Sequence, residues 1–232
     1  MLILITGASK GIGFEMVNLL SKDPNNLIIA VSRNIDSLTK LVRTQNTHSI
    51  LPIKADITKA AQQKKIFQTI KSLNLGLDVL VNNAGQIVNK PFEKITEKEL
   101  QLVYATNVFA PFTLIQTLLP LMAKKTRGHI VNIGSMGGFQ GSSKFPGLSA
   151  YSSSKTALSG LTEVLAEELK PKNIAVNCLA LGAVQTEMLA KAFPGYKAPL
   201  KAIQMAEFIC NFATTGQNFF NGKIIPVSST TP

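Results

Sequence analysis

The feature that most constrains this chain is its opening. An apolar run, Leu2–Thr6, passes without a spacer into Gly7-Ala8-Ser9-Lys10-Gly11-Ile12-Gly13, and an amphipathic stretch begins at once. A short, wholly apolar run suits a strand covered on both faces. Glycines at a strand-to-helix turn permit what side chains forbid. Gly7 allows the tight turn, Gly11 lets backbone approach a pyrophosphate, and Gly13 allows a helix to pack closely on the strand. The helix that follows presents free N–H groups and its positive dipole end to phosphates. A glycine triplet alone also fits a plain structural turn; its place between an opening strand and a helix argues for a phosphate loop.

The same alternation continues along the chain. Candidate strands are Leu2–Thr6, Leu27–Val31, Ile50–Lys54, Asp78–Asn82, His129–Ile133, Ile174–Leu179 and Lys223–Val227. Between them lie helical patterns such as Lys59–Leu73, Glu97–Met122 and Ser152–Leu169. Strand and helix in alternation imply a parallel sheet with right-handed crossovers. No Pro/Ser-rich linker and no repeat divides the chain. The expectation is one α/β domain over residues 1–232: a Rossmann fold, a doubly wound parallel sheet of about seven strands with helices on both faces. The loops Met136–Ala150 and Gly182–Pro199 follow strands, so they should open on the carboxyl edge of the sheet, where such folds bind ligands.

Composition narrows the function classes. The net charge of +11 comes from 24 basic and 13 acidic residues. The lysines are scattered rather than gathered, and no nucleic-acid recognition module is present, so nucleic acid is not the expected partner. Lys59, Lys64, Lys65 and Lys71 read as the solvated face of one helix. Two cysteines, Cys178 and Cys210, form no framework, and Cys178 sits in an apolar strand pattern. His48 and His129 are isolated, so no metal is expected. No GxSxG nucleophile elbow occurs, and Ser142, Ser143 and Ser149 read as loop polar groups. The start has no basic n-region, and no run reaches the ~18 apolar residues of a membrane span, so a cytoplasmic location without membrane contact is expected.

Two sets of residues carry chemistry. Tyr151-Ser152-Ser153-Ser154-Lys155 puts a phenol and an ammonium on one face of a helix. A free Tyr has a pKa of ~10, and a nearby ammonium is expected to lower it toward the working range of an acid/base. The second set sits at the end of the second strand, in Ser32-Arg33-Asn34, where no acid is available for a ribose 2′-hydroxyl. Arg33 offers a fork suited to a 2′-phosphate, with Lys10 adding charge from the glycine loop. The rival reading has Asp36 reaching the ribose from the next helix.

The glycine spacing, GxxxGxG, resembles that of the short-chain dehydrogenase/reductase family. The resemblance extends over nearly the whole chain, through Asn82-Asn83-Ala84-Gly85, Asn107, Ser135 and the Tyr151/Lys155 pair in the family's order. It implies the catalytic set Asn107, Ser135, Tyr151 and Lys155. Ser135 would polarise the substrate oxygen, Tyr151 would exchange its proton, Lys155 would hold the nicotinamide ribose, and Asn107 would help hold a relay water. It implies a cofactor site formed by Gly7, Ser9, Lys10, Gly11, Ile12, Gly13, Arg33, Asn34, Asp56, Ile57, Asn83, Ala84, Gly85, Tyr151, Lys155, Gly182, Val184 and Thr186. The Lys10/Arg33 pair marks NADP(H) over NAD(H) in that family. Asp56 would bind the adenine amino group, although it or Thr58 would equally cap the next helix. The substrate is expected to be a small carbonyl or alcohol, and the protein a homodimer or homotetramer with the helices around Asn107 and Tyr151 as interfaces.

Departures from the family pattern are local. Fifteen residues separate Ser135 from Tyr151, with the extra length around Ser143–Gly147. Leu181-Gly182 stands in place of Pro-Gly, and the last strand lacks the family's glycines. Thr186–Pro199 carries Met188, Leu189, Phe193 and Tyr196, which read either as a helix packed on the domain or as a lid over an apolar substrate. Phe145 would form another wall. The alternatives to an oxidoreductase are a dinucleotide sensor without catalysis, which would have lost Tyr or Lys, and a nucleotide-sugar epimerase, which would need a larger carboxyl-terminal substrate domain.

Overall fold

The apolar runs assemble as covered strands because each alternates its side chains between two helical layers. In β1 (Leu2–Thr6), Ile3 and Ile5 join a cluster with Met16, Val17, Leu38, Ile209 and Phe212, while Leu2 and Leu4 join Ile66, Ile70, Leu114 and Leu118. A computed structural model describes residues 1–122 and 127–228. After β1 come α1 (Gly11–Leu20), β2 (Leu27–Ser32), α2 (Asp36–Gln45), β3 (Ile50–Lys54), α3 (Ala60–Ser72) and β4 (Val79–Asn82). Then follow α4 (Glu97–Tyr104), α5 (Ala110–Leu118), β5 (Gly128–Ile133), α6 (Ser149–Glu168) and β6 (Ile174–Leu181). The chain continues through β7 (Val184–Gln185), α7 (Glu187–Ala192), β8 (Leu200–Lys201), α8 (Ala202–Thr215) and β9 (Ile224–Val227).

One seven-stranded sheet runs in the order β3-β2-β1-β4-β5-β6-β9, with every pairing parallel. The winding reverses between β1 and β4, so the turns leaving those strands flank a crevice at their carboxyl ends. This is the doubly wound Rossmann architecture expected from the alternation. Five of the seven expected strands shift by one or two residues at an end, as strand termini do.

Three differences from the sequence reading have physical reasons. The small β7–β8 ladder is a two-residue pairing, too short to leave a periodic signal. The helical pattern Glu97–Met122 is not one continuous α-helix, and Asn107 sits at the interruption. It lies in a π-helical turn, Ala105–Phe109, that joins α4 to α5. The run Glu97–Leu121 is, by length and composition, apolar enough to cross a membrane, contrary to the expectation that no such segment exists. Val103, Leu114, Ile115 and Leu118 of this run are buried against the domain, whereas Leu100, Leu102, Phe109 and Phe112 are exposed.

Candidate active site

The site begins with how the turn after β1 is held. Gly7 and Gly11 have φ of +66° and +56°, in the left-handed region where a Cβ is strained. A Cβ on Gly13 would collide with the Gly7 carbonyl, so α1 can approach the strand only with glycine there. Asn83 Nδ2 donates to Thr6 O at 2.9 Å and to Gly7 O at 3.2 Å. Thr6 Oγ1 accepts from the backbone N–H groups of Asn83 and Ala84, each at 3.1 Å. Thr6 thus ties the two turns of the crevice together, a role its sequence position did not signal. The N-terminus of α1 has no side-chain cap, leaving its first N–H groups for a ligand.

The end of β2 supplies the next wall. Ser32 Oγ donates to Ser9 Oγ at 2.8 Å, and Ser37 Oγ donates to Ser9 O at 2.6 Å, which fixes the glycine loop against β2 and α2. Arg33 and Asn34 are exposed at the rim of the cavity. Asp36 opens α2, and its Oδ2 accepts from Asn34 Nδ2 at 3.0 Å. Lys10 Nζ lies 2.8 Å from Glu187 Oε2 at the start of α7, an ion pair at the mouth of the glycine loop. Asp56 Oδ1 accepts from Thr58 N at 2.9 Å and Thr58 Oγ1 at 2.7 Å. Burial pushes the Asp56 carboxyl up, but those bonds and the charges of Arg33 and Lys59 outweigh it and leave its pKa lowered. α3 begins at Ala60 after an N-cap, Lys59, without a side-chain cap, so Asp56 shapes the turn before that helix rather than capping it.

Ser135, Tyr151, Lys155 and Asn107 converge on the other side. A buried chain of amides positions them: Asn82 Nδ2 donates to Asn132 Oδ1 at 2.8 Å, and Asn132 Nδ2 donates to Thr162 Oγ1 at 2.9 Å, linking β4, β5 and α6. The segment after Ser135 then lies directly on α6, where a Cβ on Gly138 would meet the backbone of Lys155 and Thr156. The Ser135 hydroxyl is hydrogen-bonded to Tyr151 and accepts from Gly137 N at 3.2 Å. Lys155 is buried and donates from Nζ to Ile133 O at 2.7 Å, with Nζ 5.8 Å from the centre of the Tyr151 ring. Asn107 Oδ1 accepts from Gln86 N at 2.8 Å, and its Nδ2 donates to Gln86 O and Ser154 Oγ, both at 2.9 Å. Ser154 in turn donates to Tyr151 O at 2.6 Å, a link between Asn107 and the Tyr helix that the spacing alone did not reveal. Asn107 Oδ1 and Lys155 Nζ both flank Gly85, at 3.6 Å and 3.8 Å from where its Cβ would stand.

The electrostatics correct one expectation. Lys155 does not lower the Tyr151 pKa here. Burial raises it, against a lowering contribution from the Ser135 hydrogen bond. Burial also pushes the Lys155 ammonium down to about 8. Two groups losing water together each favour their neutral forms, so Tyr151 is a neutral phenol with a proton to give.

One cavity of about 1110 Å³ runs from Arg33 and Asp56 through Gly85 to Ser135, Tyr151 and Lys155, and continues to Met188, Leu189, Phe193 and Tyr196, while Asn107 is buried beside Gly85 and does not line the cavity. Gly182 packs on Ser228, Val184 is buried in β7, and Thr186 Oγ1 accepts from Leu189 N at 3.2 Å as the cap of α7. Ile12, Ile57 and Ala84 also line this space. The left-handed glycine cradle, the uncapped α1 terminus and the basic rim fit a nicotinamide dinucleotide.

Comparison with known proteins agrees with this geometry. The family model for short chain dehydrogenase matches residues 1–197. The mouse (Mus musculus) protein Dehydrogenase/reductase SDR family member 4 is 37% identical over 188 residues, spanning 79% of this chain and 65% of that protein. A solved 3-ketoacyl-(acyl-carrier-protein) reductase from Brucella melitensis, complexed with NADH, is similar at 25% identity and TM-score 0.87, covering 97% of this chain and 96% of the other. The structure described as ElxO with NADP bound is similar at 27% identity and TM-score 0.84, covering 97% of this chain and 96% of the other. The chain belongs to the short-chain dehydrogenase/reductase family of oxidoreductases, and its fold is that of enzymes with a bound nicotinamide dinucleotide.

Proposed function

We propose that this protein is an NADP(H)-dependent oxidoreductase that interconverts a carbonyl and an alcohol. The observation that carries the reading is the convergence of Ser135, Tyr151 and Lys155 on the cavity that holds the glycine loop, with Asn107 buried beside Gly85 at its edge. When bound, the nicotinamide supplies or accepts the hydride. For reduction, the Tyr151 hydroxyl gives its proton to the substrate oxygen as negative charge grows there, and the Ser135 hydroxyl donates a hydrogen bond to the same atom. Lys155, whose Nζ lies 5.8 Å from the centre of the Tyr151 ring, would hold the nicotinamide ribose beside the Tyr151 hydroxyl. Asn107 holds the Gln86 backbone and the Tyr helix in register, a positioning task beside the water-holding role expected of it.

Arg33 supports the choice of NADP(H). It is exposed at the rim, and it forms no ion pair among the described residues, so its fork is available to a 2′-phosphate. The apolar walls at Met188, Leu189 and Phe193 support a hydrophobic carbonyl over a small charged one. Leu100, Phe109 and Phe112, on α4, the π-helical turn and α5, are exposed and support a homodimer through this region. The test is a panel of hydrophobic ketones and charged keto acids, read by loss of NADPH or NADH absorbance, with wild type and Arg33→Ala. The reading expects turnover of hydrophobic ketones with NADPH. It also expects Arg33→Ala to weaken NADPH by ~10- to 100-fold while NADH is nearly unchanged, as for loss of a charge-assisted bond. Equal losses for both cofactors contradict the role of Arg33, and no turnover of any carbonyl contradicts the reaction.

A further inference from the structure

Resting on that reading, we infer that Asn89 is the positioning residue that sets the width of the substrate mouth. Asn89 follows β4 at the surface, away from the reacting groups. Its Nδ2 donates to Ala192 O at 2.7 Å, at the last residue of α7 and one residue before Phe193. That carbonyl is one of those a helix end leaves without an intrahelical partner, so a side-chain donor there holds the helix where it stands. On its other side Asn89 meets Gly147, in the lengthened segment between Ser135 and Tyr151. Gly147 has φ of +86°, and any Cβ there would collide with Asn89 Oδ1. The next residue continues the contact, with Lys90 N donating to Gly147 O at 3.0 Å.

One side chain therefore touches the backbone of both segments that carry aromatic walls of the cavity. Phe193 lies next to Ala192, and Phe145 lies two positions before Gly147; both line the cavity beside Tyr151. The space between these rings depends on where the two segments sit, and Asn89 is packed between them. Lys90 extends the same support toward α4 through its ion pair with Glu99, at 2.5 Å. The residues 143–147, which lengthen the loop, thus have a specific partner: their glycine is the seat for Asn89.

The experiment compares wild type with Asn89→Ala and with Asn89→Asp, whose carboxylate keeps the shape but cannot donate to the Ala192 carbonyl. A slender ketone (2-heptanone) and a broad one (2-acetylnaphthalene) are the probes. Both variants are expected to raise KM for the slender ketone by about fivefold, the loss of one hydrogen bond, with kcat little changed. The ratio of kcat/KM for the broad to the slender ketone is expected to shift about fivefold toward the broad one. NADPH affinity by fluorescence titration and the melting temperature stay near wild type. Hydrogen exchange reads the same clasp without turnover, and the α7 amides are expected to exchange faster in both variants while those of α1 do not. Unchanged α7 exchange overturns the inference even if no carbonyl is reduced. So does an unchanged ketone ratio in a folded, active variant, or an equal loss for both ketones and the cofactor. Absence of any carbonyl reduction by wild type, with altered α7 exchange, contradicts the proposed reaction and leaves the clasp standing.

Discussion

The ammonium of Lys10, in the phosphate loop, lies 2.8 Å from the carboxylate of Glu187, the first residue of α7. Both groups are exposed, so the pair holds its partners weakly and is open to competition. An anionic cofactor arriving at the glycine loop would compete with Glu187 for the same cation. Glu187→Gln is therefore expected to tighten NADPH by severalfold, more at low salt than at high salt. Titration of NADPH against cofactor fluorescence at two ionic strengths checks this. An unchanged or weakened affinity would show that Lys10 is not shared between the two anions.

Burial of Lys155 predicts a pH signature. Its folded pKa is pushed down to about 8 from an ordinary 10.5. Below pH 8 the ammonium is charged in both the folded and unfolded chain, and the full cost of burying it is present. As pH rises from 8 toward 10.5, the folded protein releases that proton first, and the cost fades. Relative to Lys155→Met, wild type should gain stability over that window, by up to about 3 kcal/mol. Denaturant midpoints of the protein without cofactor, taken at pH 7 and pH 10, measure the gap. A gap that stays constant would mean that the ammonium keeps its ordinary pKa.

His129 acts in the opposite part of the pH range. Its ring is buried between Ala213 O, 3.0 Å from Nδ1, and Asn177 Nδ2, 3.0 Å from Nε2, and burial lowers its pKa to about 4. The unfolded chain takes up a proton near pH 6.5, whereas the folded one resists until about 4. The stability this group contributes is present above pH 6.5 and is lost as pH falls toward 4. His129→Gln should remove that loss, so the wild-type advantage shrinks by up to about 3 kcal/mol between pH 7 and pH 4. Parallel unfolding curves at the two pH values for both proteins decide it.

Much of this was legible in the sequence because strand burial and helix amphipathicity leave periodic traces. Leu2–Thr6 and Ile50–Lys54 were read to the residue; Leu2–Thr6, covered on both faces, stops where glycine begins, and the edge strand Ile50–Lys54, only partly covered, ends at the exposed Lys54. Ser135, Tyr151, Lys155 and Asn107 were readable as residue types in order, and the fold brings the first three to one cavity with Asn107 buried beside Gly85. What escaped was whatever depends on contacts between distant loops. Nothing near Lys10 marks Glu187 as its partner, and nothing near Asn89 marks Ala192 or Gly147. The raised pKa of Tyr151 was missed for a related reason: spacing shows the Lys155 neighbour but not the burial that outweighs it. The Gly137-Gly138 pair was a usable signal, because paired glycines after a strand suit the close approach to α6 that the structure contains.

The central claim is that Tyr151 is the proton donor, and removal of its hydroxyl tests that claim most directly. Tyr151→Phe keeps the ring and loses the one oxygen hydrogen-bonded to Ser135. With NADPH and the best hydrophobic ketone, kcat/KM should fall by ~100-fold or more, within the range for a lost general acid, while NADPH binding stays near wild type. Near-normal turnover in a variant that is folded and binds NADPH would contradict the account.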